Sequence, residues 1–554
     1  MTGLETSNIA SGLAAMARDR PGALAVLAPA GRDAFGRARH VHWTFRQLDE
    51  WSDYAAAGLI EAGIRRGTRT VLMVRPGLSF FALTFGLFKA GAVPILVDPG
   101  LGIRNLGACL AEARPEAFLG IPKAQIARKL LGWGKATIRK AMTVNRGWPA
   151  GWLDIYDLEG MAEAPPPEIA PTRPDETAAI LFTSGSTGVP KGAVYTHAIF
   201  EAQVATLRDQ YDIRAGEVDL CTFPLFALFG PALGMTSVVP EMDFTRPGKV
   251  NPLRIIEAVH DFGVTNLFGS PALIRRVGEY GQANRIKLPS LRRVISAGAP
   301  VPARVLESFA AILGPGVQVF TPYGATESLP VCSIGSDEIL GETRHPTDRG
   351  AGVCLGRAVE GIRVEIIAIR DEAIPEWSDD LIVPIGEVGE IVVQGPVVTR
   401  SYFGRPEATA LAKIDDPPTG GFFHRMGDVG YRDDRGRIWF CGRKSHRVRT
   451  ADRTLDTIPS EAIFNVHPWV HRTALVGVGE PARARPVLCV EAKGRVGRAR
   501  WEELRGELLA IARANPITQD IETFLLHPSF PVDIRHNAKI FREKLAAWAA
   551  RKLR

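Results

Sequence analysis

From Thr44 to Gly63 the apolar positions fall on a helical period, with Leu48, Trp51, Ala55 and Leu59 on one face. Thr44 followed by Gln47 three residues later forms a capping box that starts this helix, and Gly63 ends it. Thr70–Val74 then runs continuously apolar, the pattern of a buried strand. A second helix over about Ser79 to Ala90 and a second strand over Ala92–Val97 repeat the alternation. Ala178–Phe182 reads as another buried strand, and Thr196 caps a helix predicted from His197 to about Arg208. In the last hundred residues Thr473–Val478 and Val487–Lys493 read as strands and Arg500–Arg513 as a helix. Alternation of this kind predicts an α/β fold with a largely parallel sheet, followed by a small α/β unit.

A chain of 554 residues is too long for a single core, so two or more domains are expected. Its 46% hydrophobic and 23% charged residues are those of a globular protein. The longest apolar stretch, Gly77 to Val97, contains Lys89 and Pro94, which suits a buried helix and strand better than a membrane span. Met1 to Leu13 lacks the basic-then-apolar order of a signal peptide. The six cysteines are scattered without a C-x-x-C pair, so neither a zinc site nor a disulfide framework is predicted, and a reducing cytoplasm fits.

Net charge is only +7, from 67 basic and 60 acidic residues, and a nucleic-acid partner is not indicated. The excess is local. Ile121 to Ala150 holds Lys123, Arg128, Lys129, Lys135, Arg139, Lys140 and Arg146 and no acidic residue, with Ile126, Leu130, Leu131, Trp133, Ile138 and Met142 among them. Such a segment suits peripheral membrane association through 121–150 or docking of a partner; equally, it suits a helix packed on its own domain with its charges in water. Glu163 to Pro174 reads as an extended linker.

The chemistry begins at Thr183-Ser184-Gly185-Ser186-Thr187-Gly188-Val189-Pro190-Lys191-Gly192. Glycines let backbone N–H groups turn inward, hydroxyls add donors and Lys191 adds a positive charge, which together make a polyphosphate cradle after a strand. The spacing is not that of a Walker A loop. Taken alone, the run also suits a flexible surface loop. In its order it resembles the phosphate loop of the adenylate-forming superfamily of acyl-CoA synthetases, peptide-synthetase adenylation domains and luciferases. Lys89-Ala90-Gly91-Ala92-Val93-Pro94 resembles the N-terminal subdomain of the same superfamily.

The resemblance continues downstream in order. Thr222-Phe223-Pro224-Leu225-Phe226-Ala227-Leu228-Phe229-Gly230 is aromatic and uncharged, and Ala227 stands where many relatives carry histidine. This suggests an apolar wall near the reacting carboxylate, although aromatic runs also serve as plain core. Ser296-Ala297-Gly298-Ala299-Pro300 resembles the strand-end turn against which adenine lies. In Tyr323-Gly324-Ala325-Thr326-Glu327 the resemblance gives Tyr323 to adenine, Gly324 to close backbone approach, Thr326 to phosphate and Glu327 to Mg²⁺. Asp428, in Met426-Gly427-Asp428 where relatives usually have T-G-D, would accept from the ribose hydroxyls, and Arg443 would contact ribose or phosphate. Near the end, His536-Asn537-Ala538-Lys539-Ile540 matches the region whose lysine reaches the carboxylate and α-phosphate, with Ala538 replacing the usual glycine.

The fold class implied is α/β: a large N-terminal adenylate-forming domain of layered sheets and helices, residues 1–443, binding ATP and the acyl group. A small mobile α/β C-terminal domain, 444–554, would carry Lys539, with the hinge at Ser445. Catalytic roles fall to Lys539, Thr326 and Glu327, with ATP and Mg²⁺ required. After the hinge, Arg447 to Asp456 is longer than the glycine-containing loop that lines the thiol channel in coenzyme A-using relatives. With the aromatic run and the Lys539 motif, this makes the chain resemble the olefin β-lactone synthetases of bacterial long-chain hydrocarbon biosynthesis. That branch implies a long-chain 2-alkyl-3-hydroxy acid substrate, closed to a β-lactone through its adenylate, and a multienzyme complex with other olefin-biosynthesis enzymes. A fatty acyl-CoA ligase, an acyl-AMP ligase and a non-catalytic nucleotide-binding scaffold are the alternatives.

Overall fold

The computed structural model describes residues 6–97, 101–144, 168–183, 190–532 and 540–554. A first sheet of six strands runs in the order Lys140–Thr143, Ala117–Gly120, Arg69–Met73, Val93–Leu96, Thr177–Phe182, Gly192–Thr196. All its pairings are parallel except that of the last two strands. A second sheet of seven strands is parallel apart from the hairpin Leu24–Arg32 with Ala38–Thr44. The third, of eight strands between Tyr323 and Arg443, is antiparallel. The expected α/β class is therefore what the chain forms.

The elements form for local reasons. Thr44 Oγ1 accepts from the Gln47 N–H at 3.2 Å and Gln47 Oε1 accepts from the Thr44 N–H at 2.9 Å, so helix Phe45–Glu61 starts at its capping box. It packs on Leu78–Lys89, which is buried from Phe80 onward and apolar on every side. A Cβ on Gly86 would lie 2.8 Å from Ala55 Cβ, so glycine is what lets the two helices meet. Lys89 ends this helix in the core, 1% exposed, with Nζ 2.6 Å from Asp49 and 2.6 Å from Asp53. Two carboxylates satisfy the ammonium that a bilayer would have left bare. Among the described residues no helix is long and apolar enough to cross a membrane.

The basic segment is not one amphipathic helix. Helix Pro122–Leu131 stops at Gly132, which takes φ +66°. Trp133 turns into the core, and Lys140–Thr143 becomes the edge strand of the first sheet, parallel to Ala117–Gly120. Ile126, Leu130 and Leu131 stay exposed, Leu130 to 80%. Residues 145–150 and the first part of the expected linker lie outside the described residues.

After Arg443 the chain builds a separate three-stranded sheet, Val470–Val478, Arg485–Ala492 and Thr523–Leu526, flanked by Arg498–Arg513 and Arg542–Leu553. The long segment after Ser445 is a short hairpin, Val448–Arg449 against Thr454–Leu455. Arg453 fastens it, pairing with Asp520 at 2.5 Å and donating to the Pro516 and Ile517 carbonyls.

Candidate active site

A cleft of about 2040 Å³ lies at the carboxyl ends of the first sheet's parallel strands, where open α/β sheets bind ligands. The third sheet forms one wall, and His446, Ile458 and His471 face it from the C-terminal side. At one end of the cleft the antiparallel pair Thr177–Phe182 and Gly192–Thr196 brings Thr183 beside Lys191. The Thr183 N–H donates to the Lys191 carbonyl at 3.0 Å, and the Lys191 N–H donates to Thr183 Oγ1 at 3.1 Å. This closes the neck of the glycine-rich loop. Ser184, Gly185, Ser186, Thr187 and Gly188 themselves lie outside the described residues.

Lys191 Nζ sits 4.7 Å from the centroid of the Tyr402 ring, and the Tyr402 hydroxyl donates to Glu327 Oε1 at 2.6 Å. The turn carrying Thr326 and Glu327 is fixed through its backbone. Tyr195 Oη donates to the Thr326 carbonyl at 2.6 Å and the Thr399 N–H donates to the Glu327 carbonyl at 2.8 Å. Gly324 is required just before it, since a Cβ there would lie 2.6 Å from the Ser328 carbonyl oxygen. Behind Thr399 is Lys413, buried, its ammonium donating to the Thr399 carbonyl and lying 5.2 Å from the Phe422 ring centroid. Among the described residues no carboxylate lies within 4.0 Å of it; burial lowers its pKa to about 7 against the opposing pull of Glu327.

Farther along the cleft Asp428 and Arg443 sit opposite each other on antiparallel strands. Arg443 Nε is 3.1 Å from Asp428 Oδ1, Arg443 Nη1 donates to the Met426 carbonyl at 3.0 Å, and the Tyr323 hydroxyl donates to Asp428 Oδ2 at 2.6 Å. The Asp428 charge raises the Arg443 pKa, while burial and then Asp428 raise that of Tyr323. Strand Arg293–Ile295 ends beside them in Gly298, at φ +99°, so that Gly298, Ala299 and Pro300 line the cleft with Tyr323 and Gly324. Thr183, Lys191, Gly298, Ala299, Pro300, Tyr323, Gly324, Thr326, Glu327, Asp428 and Arg443 thus all line one cavity.

The aromatic run lines the same cleft. Phe226 stacks on Phe268 at 4.2 Å between centroids, with Phe223 at 5.4 Å and Phe229 at 6.2 Å from Phe226. Ala227 is buried behind this wall and does not line the cleft. Lys539 lies outside the described residues; Val532 and Ile540 flank its segment and bridge each other, and Ile540 lines the cleft. Sequence motifs missed Tyr195, Tyr402 and Lys413, which reach Thr326 and Glu327 only through the fold. Among the described residues no group of three His, Cys, Asp or Glu side chains forms a metal cluster. Tyr402 alone among them hydrogen-bonds the Glu327 carboxylate, which faces the cleft. A carboxylate with one oxygen held by Tyr402 and the other open beside the glycine-rich loop fits Mg²⁺, which takes few protein ligands and completes its shell with phosphates and water.

Solved structures share this fold. The ATP-bound MatB of Rhodopseudomonas palustris superposes with a TM-score of 0.78 at 21% identity, covering 99% of this chain and 100% of that one. MenE of Bacillus subtilis, in complex with ATP and magnesium ion, gives 0.75 at 19% identity over 96% and 98%. In sequence the chain is 52% identical to the olefin β-lactone synthetase of Xanthomonas campestris pv. campestris, over 98% of this chain and 97% of that protein. It is 50% identical to the olefin β-lactone synthetase of Stenotrophomonas maltophilia, over 99% and 98%. The model of the AMP-binding enzyme family matches residues 14–403, which contain the strands around the cradle, Tyr323 to Glu327, and Tyr402. With a cleft built from those residues, the chain belongs to the AMP-binding enzyme family.

Proposed function

We propose that this protein is an ATP-dependent β-lactone synthetase of long-chain olefin biosynthesis. Its near full-length identity to two olefin β-lactone synthetases carries that reading. The substrate is a long-chain 2-alkyl-3-hydroxy acid. Its carboxylate attacks the α-phosphorus of ATP and pyrophosphate leaves; the 3-hydroxyl oxygen then attacks the activated carbonyl carbon, the bond to AMP breaks, and the hydroxyl proton is lost as the ring closes. The nucleophile is tethered to the electrophile, so the second step needs positioning rather than a second substrate.

Lys191 and Thr183 support the phosphates beside Ser184, Gly185, Ser186, Thr187 and Gly188, and Thr326 adds a hydroxyl. Asp428 accepts from the ribose, with Arg443 holding it in place, and Tyr323 lies against the adenine with Gly298, Ala299 and Pro300. Glu327 holds Mg²⁺, which supplies charge neutralisation at the phosphates when bound. Lys539 places a cation on the carboxylate and α-phosphate. The domain boundary falls between Arg443 and Lys444, giving 1–443 and 444–554. Six buried, unpaired cysteines support a reducing, cytoplasmic setting. The exposed apolar and basic side chains of Pro122–Leu131 support peripheral membrane association, and a multienzyme complex would serve an apolar product equally well.

The test is incubation with ATP, Mg²⁺ and a 2-alkyl-3-hydroxy acid, with and without coenzyme A. The expected product is a β-lactone formed without coenzyme A, and the matched acid lacking the 3-hydroxyl should stall as bound acyl-AMP. A coenzyme A-dependent thioester would overturn the reading in favour of a ligase.

A further inference from the structure

Residues 401–405 cover the open edge of the first sheet. The edge strand Gly192–Thr196 pairs with Thr177–Phe182 on one side and meets Ser401, Tyr402 and Phe403 on the other. The Val194 N–H donates to the Ser401 carbonyl at 3.1 Å, Ala193 bridges Tyr402 in antiparallel register, and the Phe403 N–H donates to the Gly192 carbonyl at 2.7 Å. Backbone pairing stops there, and Gly404 turns the chain at φ +65°. The Arg405 side chain carries the pairing one step further. Its Nη2 lies 3.4 Å from the carbonyl oxygen of Pro190, a buried residue whose carbonyl needs a donor.

Glu112 fixes that guanidinium. Arg405 Nε donates to Glu112 Oε1 at 2.9 Å and Nη2 donates to Oε2 at 2.5 Å, a bidentate pair between residues 293 apart in sequence. Two parallel bonds hold a guanidinium in one plane, which a single contact does not. Glu112 stands in the last turn of helix Ile103–Ala113, where the helix dipole disfavours a carboxylate, and Arg405 offsets that. Both side chains are partly buried, so salt screens the pair less than a surface one.

The peptide between Pro190 and Lys191 is therefore held at both ends. Its carbonyl meets Arg405, and its N–H donates to Thr183 Oγ1 at 3.1 Å. We propose that Arg405, aligned by Glu112, is a positioning residue for Lys191. It sets the plane of the peptide from which the Lys191 ammonium is presented to the ATP phosphates. This rests on the reading of Lys191 as a phosphate contact. The Tyr402 ring meets the same ammonium at 4.7 Å, so one short segment touches both the base and the tip of the Lys191 side chain.

Three variants test this: Glu112→Gln, Arg405→Lys, and the charge swap that combines Glu112→Arg with Arg405→Glu. Pyrophosphate release gives KM for ATP and for a 2-alkyl-3-hydroxy acid; direct ATP binding and Tm are measured beside it. Glu112→Gln removes the aligning charge and Arg405→Lys removes one prong of the fork. In each, KM for ATP should rise by about fivefold while KM for the acid stays near the parent value. The swap keeps an ion pair between the two positions but removes the donor to the Pro190 carbonyl, since a carboxylate only accepts. It should recover Tm and leave KM for ATP high. Parent KM for ATP in both single variants, or full recovery in the swap, would overturn the positioning role and leave a structural ion pair. Equal rises in KM for ATP and for the acid would overturn it as well. Where the swap does not fold, the KM split in the single variants decides. A parent protein that binds no ATP would refute the phosphate reading of Lys191; ATP binding that is the same in parent and variants would refute only the positioning.

Discussion

The Tyr402 hydroxyl donates to Glu327 Oε1 at 2.6 Å while its ring faces the Lys191 ammonium at 4.7 Å, so one side chain touches both a carboxylate and a cation of the cleft. Burial and the Glu327 charge raise the phenol's pKa, so it remains a donor across the working range of pH. Tyr402 thereby orients Glu327 and leaves its second oxygen open for the Mg²⁺ proposed there.

Tyr402→Phe keeps the ring under Lys191 and removes only the hydrogen bond. A bond to a charged acceptor is worth about 1.5–3 kcal/mol. The expected outcome is a raised Mg²⁺ requirement with ATP affinity in the absence of metal little changed. Titration of activity against Mg²⁺ measures it; an unchanged midpoint would mean that the backbone bonds to Thr326 and Glu327 position the carboxylate without Tyr402.

Asp428→Ala should raise the KM for ATP by roughly tenfold or more, since charge-assisted bonds of about 1.5–3 kcal/mol each are lost. It also leaves Arg443 and the Tyr323 hydroxyl without their shared acceptor. Asp428→Asn retains an acceptor for Tyr323 and should fall between the two. Steady-state kinetics at saturating acid separate KM from kcat, and an unchanged KM would leave Asp428 only its structural bonds to Arg443 and Tyr323.

Local signals were legible in the sequence and contacts across long separations were not. The Thr44–Gln47 capping box and the Thr196 cap each involve residues three apart, and both form. Tyr323 and Asp428 were separately singled out as nucleotide-site candidates, yet their mutual bond spans 105 residues and depends on strand register in the third sheet. Tyr402 lies 75 residues from Glu327 and carries no motif of its own. The basic segment misled for a related reason. Its apolar spacing suits a single helix, but Gly132 turns the chain, Trp133 and Met142 go to the core and Lys140–Thr143 joins a sheet edge.

Lys539→Ala should slow adenylate formation by roughly thirtyfold or more while ATP binding persists. Its neighbour Ile540 lines the cleft, and Arg542, two residues on, is held by Glu461, donating to Oε2 at 2.9 Å. A unit charge about 4 Å from the α-phosphate, at an effective dielectric near 20, is worth about 4 kcal/mol before desolvation. Differential stabilisation of half that size changes the rate roughly thirtyfold. Nucleotide binding by fluorescence and pyrophosphate release are the two readouts, and release at the parent rate would remove Lys539 from the mechanism.

The exposed face of Pro122–Leu131 can be tested without disturbing its packing. Arg128 donates to Gln125 Oε1 at 3.1 Å and lies 5.6 Å from the Phe118 ring, so it belongs to the fold and should be left in place. Replacing the exposed Lys123 and Lys135 with Gln, together with Leu130→Ser, should weaken sedimentation with anionic liposomes at low salt. Charge attraction at a surface is screened within about 10 Å at 0.1 M salt, so the parent's binding should also fall with ionic strength. Equal sedimentation of parent and variant would assign the charges to water.

Lys413 makes the most specific claim about pH. Burial holds its pKa at about 7 in the native protein, far below the unfolded lysine value near 10.4. Between those values the unfolded chain binds a proton that the native protein does not, so stability must rise with pH across that window. Below about pH 7 the lysine is charged in both states and the native protein carries the full burden of burying an ammonium without a carboxylate partner. Lys413→Met removes the titration. It should narrow the stability difference between pH 7 and pH 10 relative to the parent, as read by denaturant unfolding at each pH. It also cuts the bond to the Thr399 carbonyl, whose residue donates its N–H to the Glu327 carbonyl. Activity should therefore fall even where stability rises, and the Mg²⁺ midpoint should move in the same direction as in Tyr402→Phe. Parallel pH profiles for parent and variant would show that the Lys413 ammonium is not buried as a titrating group; an unmoved Mg²⁺ midpoint would show that Thr399 holds Glu327 without it.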